Sequence, residues 1–339
     1  MKNQFVELYR FILILWIVAF HYTTRYSQLY PNTIKFPYEF NNGGYVGVFI
    51  FFVISGYFFA SSLNKVKLNN LITTFKFSAN KYWRLFPSYI ISIIVIFIII
   101  SLFGLDGRES NITHLLGNFL IWHPYCKYID SAHWFIASLI VIQTFMAFAY
   151  FICKSNIKIV TYLSLFVLAI IYIIHIYSDI SFIDKLTYIL SIRDMLIFII
   201  GMLIWLIDNK KVSSYTSIVI LLMLTFFVYY ENNIYIIFHL LLFCIILNKH
   251  LSKIEISPII LVLGKISFSW YLIHQNIGFI IIRELTAAGY TSELFLLIPI
   301  ILTLCLAFVV DYIAGKFPKT IINLKSATII QYTIKGRFM

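Results

Sequence analysis

Ten apolar runs follow one another along the chain, at roughly 5–24, 44–62, 86–104, 134–152, 158–177, 189–207, 214–230, 233–247, 257–282 and 294–314. Each is near the length of about 20 residues that an α-helix needs to cross a bilayer. Short connectors separate them, and no internal repeat or low-complexity linker marks a second domain. The chain therefore reads as an all-α polytopic integral membrane helix bundle of about ten transmembrane helices over residues 1–315, with a short basic tail at 316–339. Charged residues make up only 12% of the sequence, against about 25% in an ordinary soluble domain. One further apolar stretch, Leu115 to Trp122, is too brief to cross and is expected to lie at the interface. Arg10 interrupts the first run and no small-residue cleavage site follows it, so that run is read as an uncleaved span and not as a signal peptide.

Lysine and arginine in short loops stay on the cytoplasmic side. With the N-terminus inside, 18 of the 26 basic residues fall in inner segments and 6 in outer loops. This predicts a multi-pass protein of the cell inner (plasma) membrane with both termini cytoplasmic. The formal charge of +12 then reflects topology and contact with anionic membrane lipid, and no nucleic acid partner is called for. Cys126, Cys153, Cys244 and Cys305 show neither a disulfide framework nor metal-ligand spacing. His114, His123 and His133 are spaced too widely to share one helical turn, so no metal is expected.

Within the first run, every residue between Arg10 and His21 is apolar. Eleven helical steps bring His21 back to the Arg10 face, offset by about 20° and about 16 Å further along. Glu7, three residues before Arg10, lies on the same face and can pair with it. An ionisable group at mid-membrane costs at least ~2.5–3.5 kcal/mol on insertion scales, so this face is expected to look into the bundle. The alternative is that both side chains snorkel to opposite surfaces.

Three later blocks carry further polar groups. The second run holds Gly43, Gly44, Gly47 and Gly56 with Ser55 and Tyr57, a pattern that lets backbones approach closely. Before the third run, Lys81 and Arg84 share a helical face at the cytoplasmic mouth, where two cations can grip a phosphorylated ligand, and Pro87 suits the first turn of the span. The ninth run holds Ser267 and His274 seven residues apart, again on one face.

Taken together, the four blocks resemble acyltransferase family 3, integral membrane proteins that acylate cell-surface polysaccharides and related acceptors. The family's acid, arginine and distant histidine are matched by Glu7, Arg10 and His21. Phe51 to Tyr57 match its glycine-rich block, Arg84, Leu85 and Pro87 its basic motif, and Gly264, Ile266, Ser267, Tyr271, Leu272 and His274 its closing motif. The sequence departs from the family where an aspartate becomes Glu7, where paired arginines become Asn80 and Lys81, and in the fourth run, which lacks the glutamate many members carry.

The resemblance implies an O-acyltransferase, with acyl-CoA, usually acetyl-CoA, as the cytoplasmic donor substrate and no bound cofactor. The implied acceptor is a hydroxyl of an extracytoplasmic sugar, surface polysaccharide or glycolipid. His21 would be the general base, Glu7 would orient Arg10, and Arg10, Lys81 and Arg84 would hold the CoA phosphates. Ser55, Tyr57, Ser267 and His274 would line the passage or donate to the oxyanion. Intramembrane histidine and arginine also mark transport pathways, so a glycan or glycolipid translocase is the rival reading. An acyltransferase acting on a protein or a lipid headgroup is the third.

Overall fold

The computed structural model describes residues 4–31, 43–120, 127–212, 215–216, 219–220, 222–223, 226, 235–247, 255–290 and 292–318. Among these the regular elements are all helical: α1 (Gln4–Leu29), α2 (Gly43–Leu63), α3 (Leu71–Phe103), α4 (Ile112–Asn118), α5 (Trp134–Ile152), α6 (Ile157–Tyr177), α7 (Ser181–Leu190), α8 (Ile192–Asp208), α9 (Tyr235–Ile246), α10 (Pro258–Ala287) and α11 (Leu297–Ala314). Six spans among the described residues are long and apolar enough to cross a membrane, or seven if the α7–α8 pair, bent by 48°, counts as one. The expected seventh span, 214–230, lies largely outside the described residues, as do His123, Cys126 and the tail from 319 onward. The 30-residue α10 is long enough to cross, but its central serines, histidine and amides lower its hydropathy. Those groups are buried, so the helix hides its polarity among its neighbours.

Pro87 is not in the first turn of its helix. α3 starts sixteen residues earlier, where the Asn70 side chain accepts the Thr73 N–H at 2.8 Å and Thr73 reciprocates. This capping box satisfies N-terminal donors that would otherwise be orphaned, and the helix runs on through Pro87 for 33 residues, about 50 Å. Prolines inside membrane helices are tolerated because neighbouring groups re-satisfy the freed backbone. α4 has seven residues, about 10 Å, with Ile112 and Leu116 exposed.

Two helix pairs form the centre. α2 packs on α8, and α1 packs on α10. In the first pair a Cβ at Gly56 would overlap the Phe198 carbonyl, and one at Gly201 the Val53 carbonyl. In the second, a Cβ at Gly264 would overlap the Glu7 backbone, and one at Gly278 the Tyr22 ring. Gly264 therefore fixes the start of α1 and Gly278 its far end, and α1 and α10 run parallel. The end where α1 begins, rich in lysine and arginine, is called here the basic end, and the opposite one the far end. At the far end Arg283 donates to the carbonyls of Phe103 and Gly104 at 2.9 and 3.0 Å, closing the last turn of α3. Exposed apolar side chains on α6 and α11, among them Phe166, Leu297 and Ile301, face outward.

Candidate active site

The first half of the site is electrostatic. At the basic end Arg10 Nη1 lies 3.3 Å from Glu7 Oε2, the i, i+3 pair that the spacing of α1 allows. The exposed Arg84 acts electrostatically on Arg10 from α3. Lys81, one turn before Arg84, is engaged elsewhere: its Nζ donates to Ser62 at 3.0 Å and sits over the rings of Phe59 and Phe77. Tyr57 is also at this end, donating to Asp208 at 2.7 Å. The structure thus pairs Glu7 with Arg10, sets Arg84 within electrostatic reach of both Arg10 and Lys81, and holds the Lys81 and Tyr57 side chains on other partners.

The second half lies further along α1. His21 opens a π-helical turn, His21–Arg25, closed by a Tyr26 N–H bond to the His21 carbonyl. Single π-turns inside α-helices occur frequently at functional sites. The His21 ring meets the His274 ring edge to face, with centroids 5.0 Å apart. Phe20 and Phe279 flank it. The next residue, Tyr22, donates to the His274 carbonyl at 2.9 Å and pairs with Thr303 at 3.1 Å. Trp270 Nε1 donates to the same threonine at 3.0 Å.

Hydrogen bonding fixes the tautomer of His274. Its Nδ1 is 2.7 Å from the Tyr271 carbonyl, which can only accept, so Nδ1 carries the hydrogen and Nε2 presents a lone pair. That Nε2 is buried without a hydrogen-bond partner, and so is His21 Nδ1. Buried polar groups are almost always bonded, so two partnerless imidazole nitrogens on facing rings leave hydrogen-bonding capacity for an incoming polar group. His274 is fully buried, whereas His21 is half-buried. Ser267 is buried two turns nearer the basic end, its Oγ also without a partner. Ser55 is half-buried on α2.

A carboxylate that the sequence reading did not single out supports this arrangement. Asp130, fully buried, accepts the Ala132 N–H at 2.9 Å and the Asn276 N–H at 3.0 Å. Around it, Tyr271 donates to the Ala132 carbonyl at 2.6 Å, His133 Nε2 to the Leu272 carbonyl at 2.8 Å, and Asn276 to the Ile129 carbonyl at 2.9 Å. The turn before α5 is thereby stitched to the stretch of α10 that carries His274, and the Asp130 charge acts on that imidazole. Its legible signal is an N-cap aspartate just ahead of the fourth apolar run.

No curated protein and no solved structure matches the chain. A family model described as an acyltransferase domain matches residues 3–312 and takes in every candidate site residue. An ion-paired guanidinium and a facing histidine pair inside a membrane bundle suit such an activity, and with most of its length covered by that model the chain belongs to acyltransferase family 3, as a membrane acyltransferase.

Proposed function

We propose that the protein moves an acyl group, in the first instance acetyl, from acyl-CoA entering at the basic end to a hydroxyl of a surface glycan or glycolipid at the far end. One observation carries the reading: the helix that holds Arg10 in an ion pair also presents His21, about 16 Å further along, to a second imidazole with an unpartnered nitrogen. CoA separates its phosphates from its thioester by an extended pantetheine arm, and the Arg10–His21 spacing calls for such a linker. Arg10 and Arg84 would hold the phosphates, with Glu7 orienting Arg10. Lys81 would add its charge from its seat between Phe59 and Phe77. Under this reading the basic end and both termini lie in the cytoplasm of a plasma-membrane protein.

His21, the less buried of the two histidines, acts as general base. The acceptor hydroxyl oxygen attacks the thioester carbonyl carbon while its proton passes to the His21 imidazole. Collapse of the tetrahedral intermediate breaks the C–S bond, and the imidazolium returns the proton to the departing thiolate. Ester and free CoA result. His274 Nε2 accepts a hydrogen bond from His21 or from the acceptor and so orients the pair, and Asp130 anchors the stretch of α10 that carries His274. Ser55 and Ser267 line the passage, with Tyr57 at its basic end.

Mass spectrometry of surface glycans from cells with and without the gene tests the reading. The expected result is an acyl increment present only with the gene. Glycans of unchanged mass would overturn it, and if their export changed instead, the protein would be a translocase.

A further inference from the structure

Away from the histidine pair, at the basic end, the α2–α3 and α5–α6 connectors, with Lys211 after α8, line an open cavity of about 590 Å³. Five of its lining residues are lysines: Lys65, Lys67, Lys154, Lys158 and Lys211. The lining contains no carboxylate. Among the described residues, no ion pair involves any of these five. Lys211 donates to Asn64 at 2.6 Å.

The cavity is built, and is not a chance meeting of two loops. Ser155 Oγ accepts the Leu68 N–H at 2.9 Å and donates to the Leu68 carbonyl at 3.2 Å. Tyr150 donates to the carbonyls of Leu63 and Val66 at 3.1 and 3.2 Å. The α5–α6 connector turns through Lys154 and Ser155, both in the left-handed region at φ 50° and 59°, a conformation that non-glycine residues hold only when their surroundings impose it. Orientation in a membrane asks only that connectors be cationic. It does not ask that two of them be bolted together so that like charges share one cavity.

The surroundings say what neutralises them. Leu71, Ile72 and Phe75 on the first turns of α3, Ile152 at the end of α5 and Ile159 at the start of α6 are all more than half exposed. Ile152 is two residues from Lys154, and Ile159 follows Lys158. Ammonium groups beside outward-facing apolar side chains match a ligand with a phosphate at one end and hydrocarbon at the other. We propose that this cavity binds the phosphate-bearing headgroup of an anionic phospholipid, whose acyl chains run along Leu71, Phe75 and Ile152. Basic pockets between membrane helices are suited to such headgroups. The inference is independent of which acyl group the protein transfers.

The test uses the delipidated full-length protein, returned to phosphatidylglycerol or to phosphatidylcholine and treated with an amine-reactive reagent. Phosphatidylglycerol should slow modification of Lys65, Lys67, Lys154 and Lys158 at least threefold relative to phosphatidylcholine. In native mass spectrometry the K65Q/K67Q/K154Q/K158Q variant should lose the preference for retaining phosphatidylglycerol, while the corresponding four-arginine variant keeps it. Equal lysine modification in the two lipids overturns the proposal, and that measurement needs no variant to fold. Protection by adenosine 3′,5′-bisphosphate in place of lipid would also overturn it, by assigning the cavity to a soluble nucleotide.

Discussion

The α2–α8 and α1–α10 pairs are built alike and differ in what they enclose. Each is a parallel pair in which glycine on one helix admits the backbone or a ring of the other, Gly56 and Gly201 in the first, Gly264 and Gly278 in the second. Without a hydrophobic drive between helices in lipid, such close packing is a main source of association. In α8 the buried residues are apolar except Asp194 in its first turn. The buried set of α10 includes Ser267, Ser269, His274, Gln275 and Asn276. Glycine contacts therefore set where helices meet, and the polar residues that one pair encloses set what it can do. On the proposed function, the second pair carries the proton transfer and the first serves chiefly as scaffold.

The largest effect that would break this contrast concerns His21. Removing a general base typically costs about 10²–10⁴-fold in rate, so His21→Ala should reduce transfer by that order while acyl-CoA still binds, as measured by turnover and by equilibrium binding on the purified protein. Retained activity would move the chemistry off the α1–α10 pair. Arg10→Ala should act on donor affinity. A charge-assisted hydrogen bond is worth about 1.5–3 kcal/mol, which raises the dissociation constant of acyl-CoA by roughly 10- to 100-fold, and titration calorimetry in detergent reads it. An unchanged constant would assign Arg10 to packing.

Paired glycine substitutions sharpen the contrast further. Overpacking a tight contact costs typically about 1–3 kcal/mol, so Gly201→Val and Gly264→Val should lower thermal stability to a similar degree. Only Gly264→Val should also lower activity per folded molecule, because it displaces the helix that carries Arg10 and His21. The smallest effect separates two tyrosines. Tyr22→Phe loses a hydrogen bond worth about 0.5–1.5 kcal/mol and Tyr57→Phe one to the Asp208 carboxylate worth about 1.5–3 kcal/mol, yet Tyr22→Phe alone should change kcat, since Tyr22 holds the His274 carbonyl.

Much of this was legible in the sequence, and the rest was hidden for physical reasons. Apolar length gave the bundle, and the spacing of Glu7, Arg10 and His21 gave one face of α1, because both depend on local periodicity. The start of α3 was misplaced because hydropathy senses bilayer depth and not helicity. Its first turns interleave Leu71, Ile72 and Phe75 with Thr73, Thr74, Lys76 and Lys81, which breaks the apolar run, and an Asn70 cap holds them. The π-turn at His21 has no signature in the residues that form it. Asp130 was missed because its partner, the Asn276 N–H, is 146 residues away, and no local pattern announces a contact at that distance. Tyr57 sits in a motif that suggested the passage and Lys81 in one that suggested the donor phosphates, but their side chains are directed by Asp208, Ser62 and the rings of Phe59 and Phe77.

The ion pair of Glu7 and Arg10 has a consequence for biosynthesis. His21 and His274 are separated by about 250 residues of chain, and ribosomes add about 5–20 residues per second. The first helix therefore waits roughly ten to fifty seconds in the membrane before the helix that completes the site is made. During that interval it cannot draw on α10 to offset its charge. Its counter-ion is three residues away in the same helix, present from the moment the segment leaves the ribosome, so the guanidinium of the proposed donor site travels with its own neutralisation while the bundle is half built.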